Sequence, residues 1–128
     1  MLLVKLLMPA LLLRSGTIIN ITSASALKPS PFGAVYGATK TALIHFSETI
    51  FEEMRKQGIK SIAISPDITD TEFFNKLSFY PSEDEKSYLL AEDIAQQITH
   101  ILTLPENIAM THLIIKPQLH KIKKRKHQ

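Results

Sequence analysis

Apolar residues fill positions 2 to 13 with few breaks, LLVKLLMPALLL, and a β-branched run of Thr17, Ile18, Ile19, Asn20 and Ile21 follows Gly16. The first stretch reads as a helix over 1–14 buried against a sheet, and the second as a short buried strand. Residues 23–33 contain Pro29, Pro31 and Gly33, so the chain cannot stay helical or extended there and must form a loop. From Ala34 to Gln57 apolar side chains recur at Leu43, Phe46, Ile50 and Met54, a helical spacing, and Gly58 stands where a left-handed cap ends such a helix. Residues 59–65 are a second apolar strand, stopped by Pro66. A strand, a long crossover helix and another strand make a right-handed parallel unit.

Positions 66–90 turn polar and carry Pro66, Pro81 and the cluster SEDEK, which predicts a long loop with one or two short helices and a capping box from Ser82 to Glu85. Ile94, Ile98, Ile101 and Leu102 then mark an amphipathic helix, opened by Glu92 and Asp93 and ended at Pro105. The run HLIIK at 112–116 is a third short strand. Helix, strand, helix, strand, loop, helix, strand is the order of an α/β fold with a parallel sheet. Such sheets place ligand chemistry beyond the carboxyl ends of their strands, so Ser23 and the segment from Pro66 to Thr71 emerge on one edge.

Composition agrees with this picture and narrows it. With 128 residues, 45% hydrophobic and 21% charged, the chain suits one soluble globular domain. It has no cysteine, which excludes a disulfide framework and a thiolate metal site and suits a reducing cytoplasm. The net charge of +3 traces to Lys121, Lys123, Lys124, Arg125 and Lys126; the other residues hold ten Lys and Arg against twelve Asp and Glu, a net of −2. The expectation is a domain over 1–120 and a basic tail over 121–128, solvated and frayed, with no specific nucleic-acid surface. The five histidines show no metal-ligand spacing, so no metal is expected. Lys5 ahead of the apolar run imitates a secretory signal, but Pro9, Arg14 and the lack of a small-x-small cleavage site argue against it. The run is also shorter than the roughly 20 residues that cross a membrane.

The candidate chemistry lies in SASALKPSPFGAVYGATK, residues 23–40. Tyr36 and Lys40 are four apart, so on a helix they share one face. An ammonium fixed beside a phenol favours the phenolate and makes the phenol a usable acid or base near neutral pH. Such pairs are also common on solvated helix faces. This pair, however, opens a helix just after a serine that ends a strand, and a hydroxyl from Ser23 could hold a carbonyl oxygen within reach of the phenol. Phe73, Phe74, Phe79 and Tyr80 either pack locally in the long loop or line an apolar substrate pocket.

On these residues the chain resembles the classical short-chain dehydrogenase/reductase family. GTIINITSASA is similar to the family's strand ending in the catalytic serine, and YGATK to its Tyr-x-x-x-Lys box. SPDITDT resembles the Pro-Gly-x-x-x-Thr segment beside the nicotinamide, while EDIAQQITHILTLP and LIIKP resemble the last helix and strand. The resemblance covers nearly the whole chain but only the family's second half, and it implies the C-terminal half of a doubly wound Rossmann-type fold, three parallel strands flanked by helices.

It further implies carbonyl reduction or alcohol oxidation of a small molecule with NADP or NAD, NADP slightly favoured. Tyr36 would exchange the proton, Lys40 would assist it and bind the nicotinamide ribose, and Ser23 would polarise the substrate carbonyl. Pro66, Thr71 and the backbone around Ile68 would contact the nicotinamide, with Tyr36 and Lys40 completing the cofactor-binding set. A cytoplasmic protein is implied as well, and a homo-oligomer if the full-length chain exists. The family's glycine-rich TGxxxGxG turn, its Asn-Asn-Ala-Gly stretch and its catalytic asparagine have no counterpart here, and Asp67 replaces a usual glycine. The expectation is therefore a fragment without the dinucleotide-binding half; the rival is a non-catalytic remnant or interaction module that binds no nucleotide. Its first strand should present a bare edge.

Overall fold

In the computed structural model, which describes residues 1–31 and 33–125, helix α1 (Leu2–Leu13) leads into strand β1 (Thr17–Ile21), and helix α2 (Ala34–Met54) crosses over to β2 (Lys60–Pro66). A short strand β3 (Phe79–Pro81) is followed by helix α3 (Ala91–Leu102), β4 (His112–Ile115) and β5 (Ile122–Lys124). The strands β1, β2 and β4 form a parallel sheet in that order, with Ile19 opposite Ile62 and Ile64 opposite Leu113. The expected α/β class with three parallel strands flanked by helices is what the chain adopts, and β1 is indeed an edge strand.

Side chains alternate across a strand, and here the alternation separates two unlike faces. On one, Ile62 and Ile64 of β2 meet Leu89, Ile94 and Ile101 in the buried core, bordered by Ile19, Leu113 and Ile115. On the other, Ile18 and Asn20 of β1, Thr22 just beyond it, and Ser61, Ala63 and Ser65 of β2 face α2, and all but Asn20 are buried. Asn20 Nδ2 donates to Ser47 Oγ of α2 at 2.8 Å, and Ser47 Oγ donates back to Leu43 O. The buried Ser61 hydroxyl has no hydrogen-bond partner among the described residues, so its place there follows from small size.

Helix α2 buries Ile44, Ser47 and Phe51, while Leu43, Phe46, Ile50 and Met54 are half-buried beside them. The contact stripe lies one residue round from the one that apolar spacing suggests, because the small polar side chains of β1 and β2 accept Ser47 at the closest approach. The helix ends as expected: Gly58 adopts φ 81°, and a Cβ there would lie 2.8 Å from Ser15 Oγ. In α3, Ile94 and Ile101 are buried but Leu102 is exposed, since one residue further turns its side chain about 100° away from the Ile94–Ile101 stripe.

Three expectations are corrected. Helix α1 forms but buries none of its residues; its leucines point all round the helix, and Leu3, Leu6 and Leu13 face solvent. Asp84, and not a Ser82–Glu85 box, caps the short turn Glu85–Ser87, because its Oδ1 reaches Lys86 N at 3.1 Å. The basic end is docked where fraying was expected: β5 pairs antiparallel with β3, and Lys121 and Lys123 reach Asp84 and Glu83 at 2.7 and 2.6 Å. Opposite charges beside the paired strands supply an attraction that charge counting along the sequence does not reveal. The remainder of the basic segment, 126–128, lies outside the described residues. No helix among the described residues is long and apolar enough to cross a membrane.

Candidate active site

The carboxyl ends of β1 and β2 and the first turns of α2 converge on one edge of the sheet. Gly33 starts α2, with Gly37 N donating to Gly33 O at 2.7 Å, and the next turn carries Tyr36 and Lys40. The Lys40 ammonium sits 5.8 Å from the centre of the Tyr36 ring and donates to Ile21 O at 3.1 Å. That bond ties the amine to the last residue of β1. An ammonium has three N–H donors, so two more can serve a ligand. Tyr36 is 38% exposed, leaving one side of its ring to solvent.

Ser23 follows Ile21 by two residues and caps the turn Ala24–Ala26, its Oγ accepting from Ser25 N at 3.2 Å. Ser25 Oγ lies 2.8 Å from Ser23 Oγ. If Ser23 donates its proton to a substrate oxygen, the Ser25 hydroxyl can donate to Ser23 and support it. Thr41 Oγ1, shared between Ala26 O and Gly37 O at 2.9 Å each, fastens this turn to α2. The structure therefore ties Lys40, beside Tyr36, to the end of β1 two residues before Ser23, and ties the turn that Ser23 opens to α2. Ser25 and Thr41 are supporting residues that the pattern search missed; the S-x-S spacing of SAS was the available signal for the first.

The segment after β2 reaches the same edge but uses its own donors internally. Asp67 Oδ1 accepts from Ile68 N at 3.0 Å, and Ile68 O accepts from Leu89 N at 2.8 Å. Thr71 Oγ1 accepts weakly from Phe73 N and approaches Thr69 O, both at 3.4 Å. Pro66 closes β2 opposite Ile115. Thus the Lys40 ammonium keeps donors for a ligand, whereas the Ile68 amide is occupied by the Asp67 carboxylate.

Phe73 packs against the catalytic tyrosine candidate, ring centres 5.8 Å apart, and is itself 55% exposed. Behind it Phe74 is buried and makes edge contacts with Phe73 at 5.5 Å and Phe79 at 5.6 Å. A further polar chain runs beneath the edge. Thr22 Oγ1 donates to Ile64 O at 3.0 Å, so its single proton is spent and Ser65 must donate to it across 2.6 Å. Ser65 Oγ then accepts from His112 Nε2 at 2.8 Å, which assigns the ring proton to that nitrogen. None of these three residues was singled out from the sequence for this role, because their spacing along the chain carries no signature. Among the described residues no cluster of three His, Asp or Glu side chains gathers as a metal site would require.

The short chain dehydrogenase family model matches residues 1–79, and this chain belongs to that family. An uncharacterized oxidoreductase of Staphylococcus epidermidis is 34% identical over 103 residues, covering 80% of this chain and 43% of the relative. One from Staphylococcus aureus N315 is 31% identical over the same shares. The chain thus spans less than half the length of these curated relatives. Among solved structures, a 4-hydroxyisoleucine dehydrogenase complexed with NADH and succinate aligns with TM-score 0.72 and 27% identity, covering 91% of this chain and 52% of that one. The alcohol dehydrogenase of the archaeon Thermococcus sibiricus, complexed with 5-hydroxy-NADP, shares the fold with TM-score 0.78 at 22% identity, over 92% of this chain and 49% of the other.

Proposed function

We propose that this chain carries the proton-transfer side of a short-chain oxidoreductase that reduces a carbonyl or oxidises an alcohol of a small molecule. The observation that supports it most is the Lys40 ammonium held by Ile21 O, 5.8 Å from the Tyr36 ring, beside the turn that begins at Ser23. Tyr36 gives its phenolic proton to the substrate oxygen in reduction and takes it back in oxidation. Ser23 donates a hydrogen bond to the same oxygen, supported by Ser25. Lys40 supplies positive charge at the phenol and donates to the ribose of the bound cofactor, while Pro66, Ile68 and Thr71 border the nicotinamide. Bound NADP or NAD, NADP slightly favoured, supplies or accepts the hydride. The glycine-rich half that would hold the pyrophosphate is not among these 128 residues, so turnover calls for that half from elsewhere.

The exposed leucines of α1 and the open edge of β1 support a homo-oligomer, and the lack of cysteine supports a cytoplasmic setting, which cell fractionation would test. The decisive experiment titrates NADPH and NADH separately into the purified chain while following nicotinamide fluorescence. Saturable binding that Lys40→Met and Tyr36→Phe each weaken is expected. Joined to the glycine-rich half of a relative, the chain should turn over carbonyl compounds, and Tyr36→Phe should cut that turnover by roughly 10²–10⁴-fold. Absence of saturable binding to the unaltered chain would instead favour a non-catalytic remnant or interaction module.

A further inference from the structure

The docked C-terminal strand has a consequence for the site. Residues 119–125 run beside residues 78–86, the stretch that follows Phe73 and Phe74 in the chain. Backbone bonds join Leu119 N to Lys86 O and Arg125 N to Ser78 O, each at 2.8 Å, and β5 pairs with β3 between them. Side chains add to the ladder. Lys121 reaches Asp84 and Lys123 reaches Glu83, while Arg125 Nη2 donates to Phe74 O at 3.2 Å and its guanidinium lies 5.9 Å from the Tyr80 ring centre. Phe74 is the buried residue of that segment, and its ring meets Phe73, which in turn meets Tyr36. A continuous path of contacts therefore leads from Arg125 through Phe74 and Phe73 to the phenol.

We infer that residues 119–125 form a strap that seats residues 72–81 over the catalytic edge, with Arg125 as the positioning residue that sets Phe73 against Tyr36. The inference rests on the reading of Tyr36 as the proton carrier. Seated in this way, Phe73 gives the reacting oxygen an aromatic wall on one side, so the site favours carbonyl compounds bearing an apolar or aromatic substituent next to the reacting carbon. The ion pairs lie at the surface and so contribute modestly one by one. Their effect is collective, because the ion pairs to Glu83 and Asp84 fall between the β3–β5 pairing and the Leu119–Lys86 backbone bond and so hold β5 against β3 from both sides.

The test reads the lid directly and needs no cofactor. In the full chain, Lys121→Glu with Lys123→Glu should speed amide exchange across 72–81 about threefold to tenfold while Ile62 and Ile64 keep their protection. The Tyr36 ring proton resonances, displaced by the neighbouring Phe73 ring, should move towards those of an isolated tyrosine. Arg125→Ala should move them similarly, and Arg125→Lys should restore most of the displacement. Adding Glu83→Lys and Asp84→Lys to the double reversal should restore the parent pattern. Unmoved Tyr36 resonances with β5 released would overturn the inference, as would loss of protection at Ile62 and Ile64 together with the lid. Because these signals are recorded without NADPH, a chain that binds no nucleotide leaves the result intact, and a detached strap leaves the titration intact.

Discussion

Thr22→Val isolates one proton in the polar chain beneath the catalytic edge. The substitution keeps the shape of a buried side chain and removes its hydroxyl. Ile64 O is not orphaned, because Thr22 N still donates to it at 2.7 Å. The group left without a partner is the Ser65 proton, which now points at a methyl in a fully buried site. An unsatisfied buried donor costs about 1–3 kcal/mol, and the matched volume leaves no cavity to add to it. Ser65 can recover part of this by donating to His112 Nε2, which forces the ring into its other tautomer, so a loss of about 1–2 kcal/mol is expected. Urea denaturation followed by circular dichroism measures it as a lower midpoint at unchanged slope. In Thr22→Val/Ser65→Ala the orphaned proton is gone, and the double variant should be more stable than the two single losses predict by about 0.5–1 kcal/mol. A single variant within about 0.3 kcal/mol of the parent, with additive losses in the double, would refute a shared network.

Gly58→Ala should cost about 1–2 kcal/mol, since φ 81° disfavours a side chain and the new Cβ would press on Ser15 Oγ; a stability equal to the parent's in the same urea melts would contradict this. The strap should also respond to pH. Hydrogen bonds from Lys123 to Glu83, and from Lys121 and the Lys86 N–H to Asp84, hold both carboxyls below their ordinary values of 4.5 and 3.8, and the Glu83 bond raises Lys123 above 10.5. Lowered carboxyl values mean that their stabilisation is present above those ordinary values and lost as pH falls through the folded ones; the raised lysine loses its share only as pH climbs past 10.5. Phe79 and Tyr80 ring resonances should therefore hold steady near neutrality and drift below about pH 4, and a transition centred between pH 5 and 8 would count against the ion pairs. Finally, the parent chain should sediment as an assembly larger than its 14.4 kDa monomer, with Leu3→Glu/Leu6→Glu shifting it towards the monomer; a monomeric parent would remove the case for α1 as an interface.

Much of the fold was legible because its signals are local. The β-branched run at Thr17, the helical spacing across α2 and the glycine at position 58 each point to a single element, and Tyr36 with Lys40 share a face by helix geometry alone. What could not be read depends on pairings between distant parts of the chain. Nothing near Lys121 announces that Asp84 lies opposite, so the basic run looked like a solvated tail. Leucine content alone did not reveal that α1 stands uncovered, because an apolar helix looks the same in sequence whether or not a neighbour exists. At the site, Ser25 and the link from Thr22 to His112 depend on hydroxyl directions that only the folded chain defines, and the Ile68 amide is lost to Asp67 through a rotamer, which no spacing rule encodes.

Apart from Ile18, the face that the sheet turns towards α2 is built from Asn20, Thr22, Ser61, Ala63 and Ser65, met by Ser47 from the helix. Side chains this short set the height at which α2 rides over the strands, in the way a shim sets the gap between two plates. Tyr36 and Lys40 ride on the same rigid rod, so one extra methylene at Ala63 would lift them from Ile21 and Ser23 without touching either. Residues with no chemistry of their own thereby acquire control over the reach of the phenol, and the isoleucine face beneath α3, which carries no such cargo, is free to exchange one apolar side chain for another.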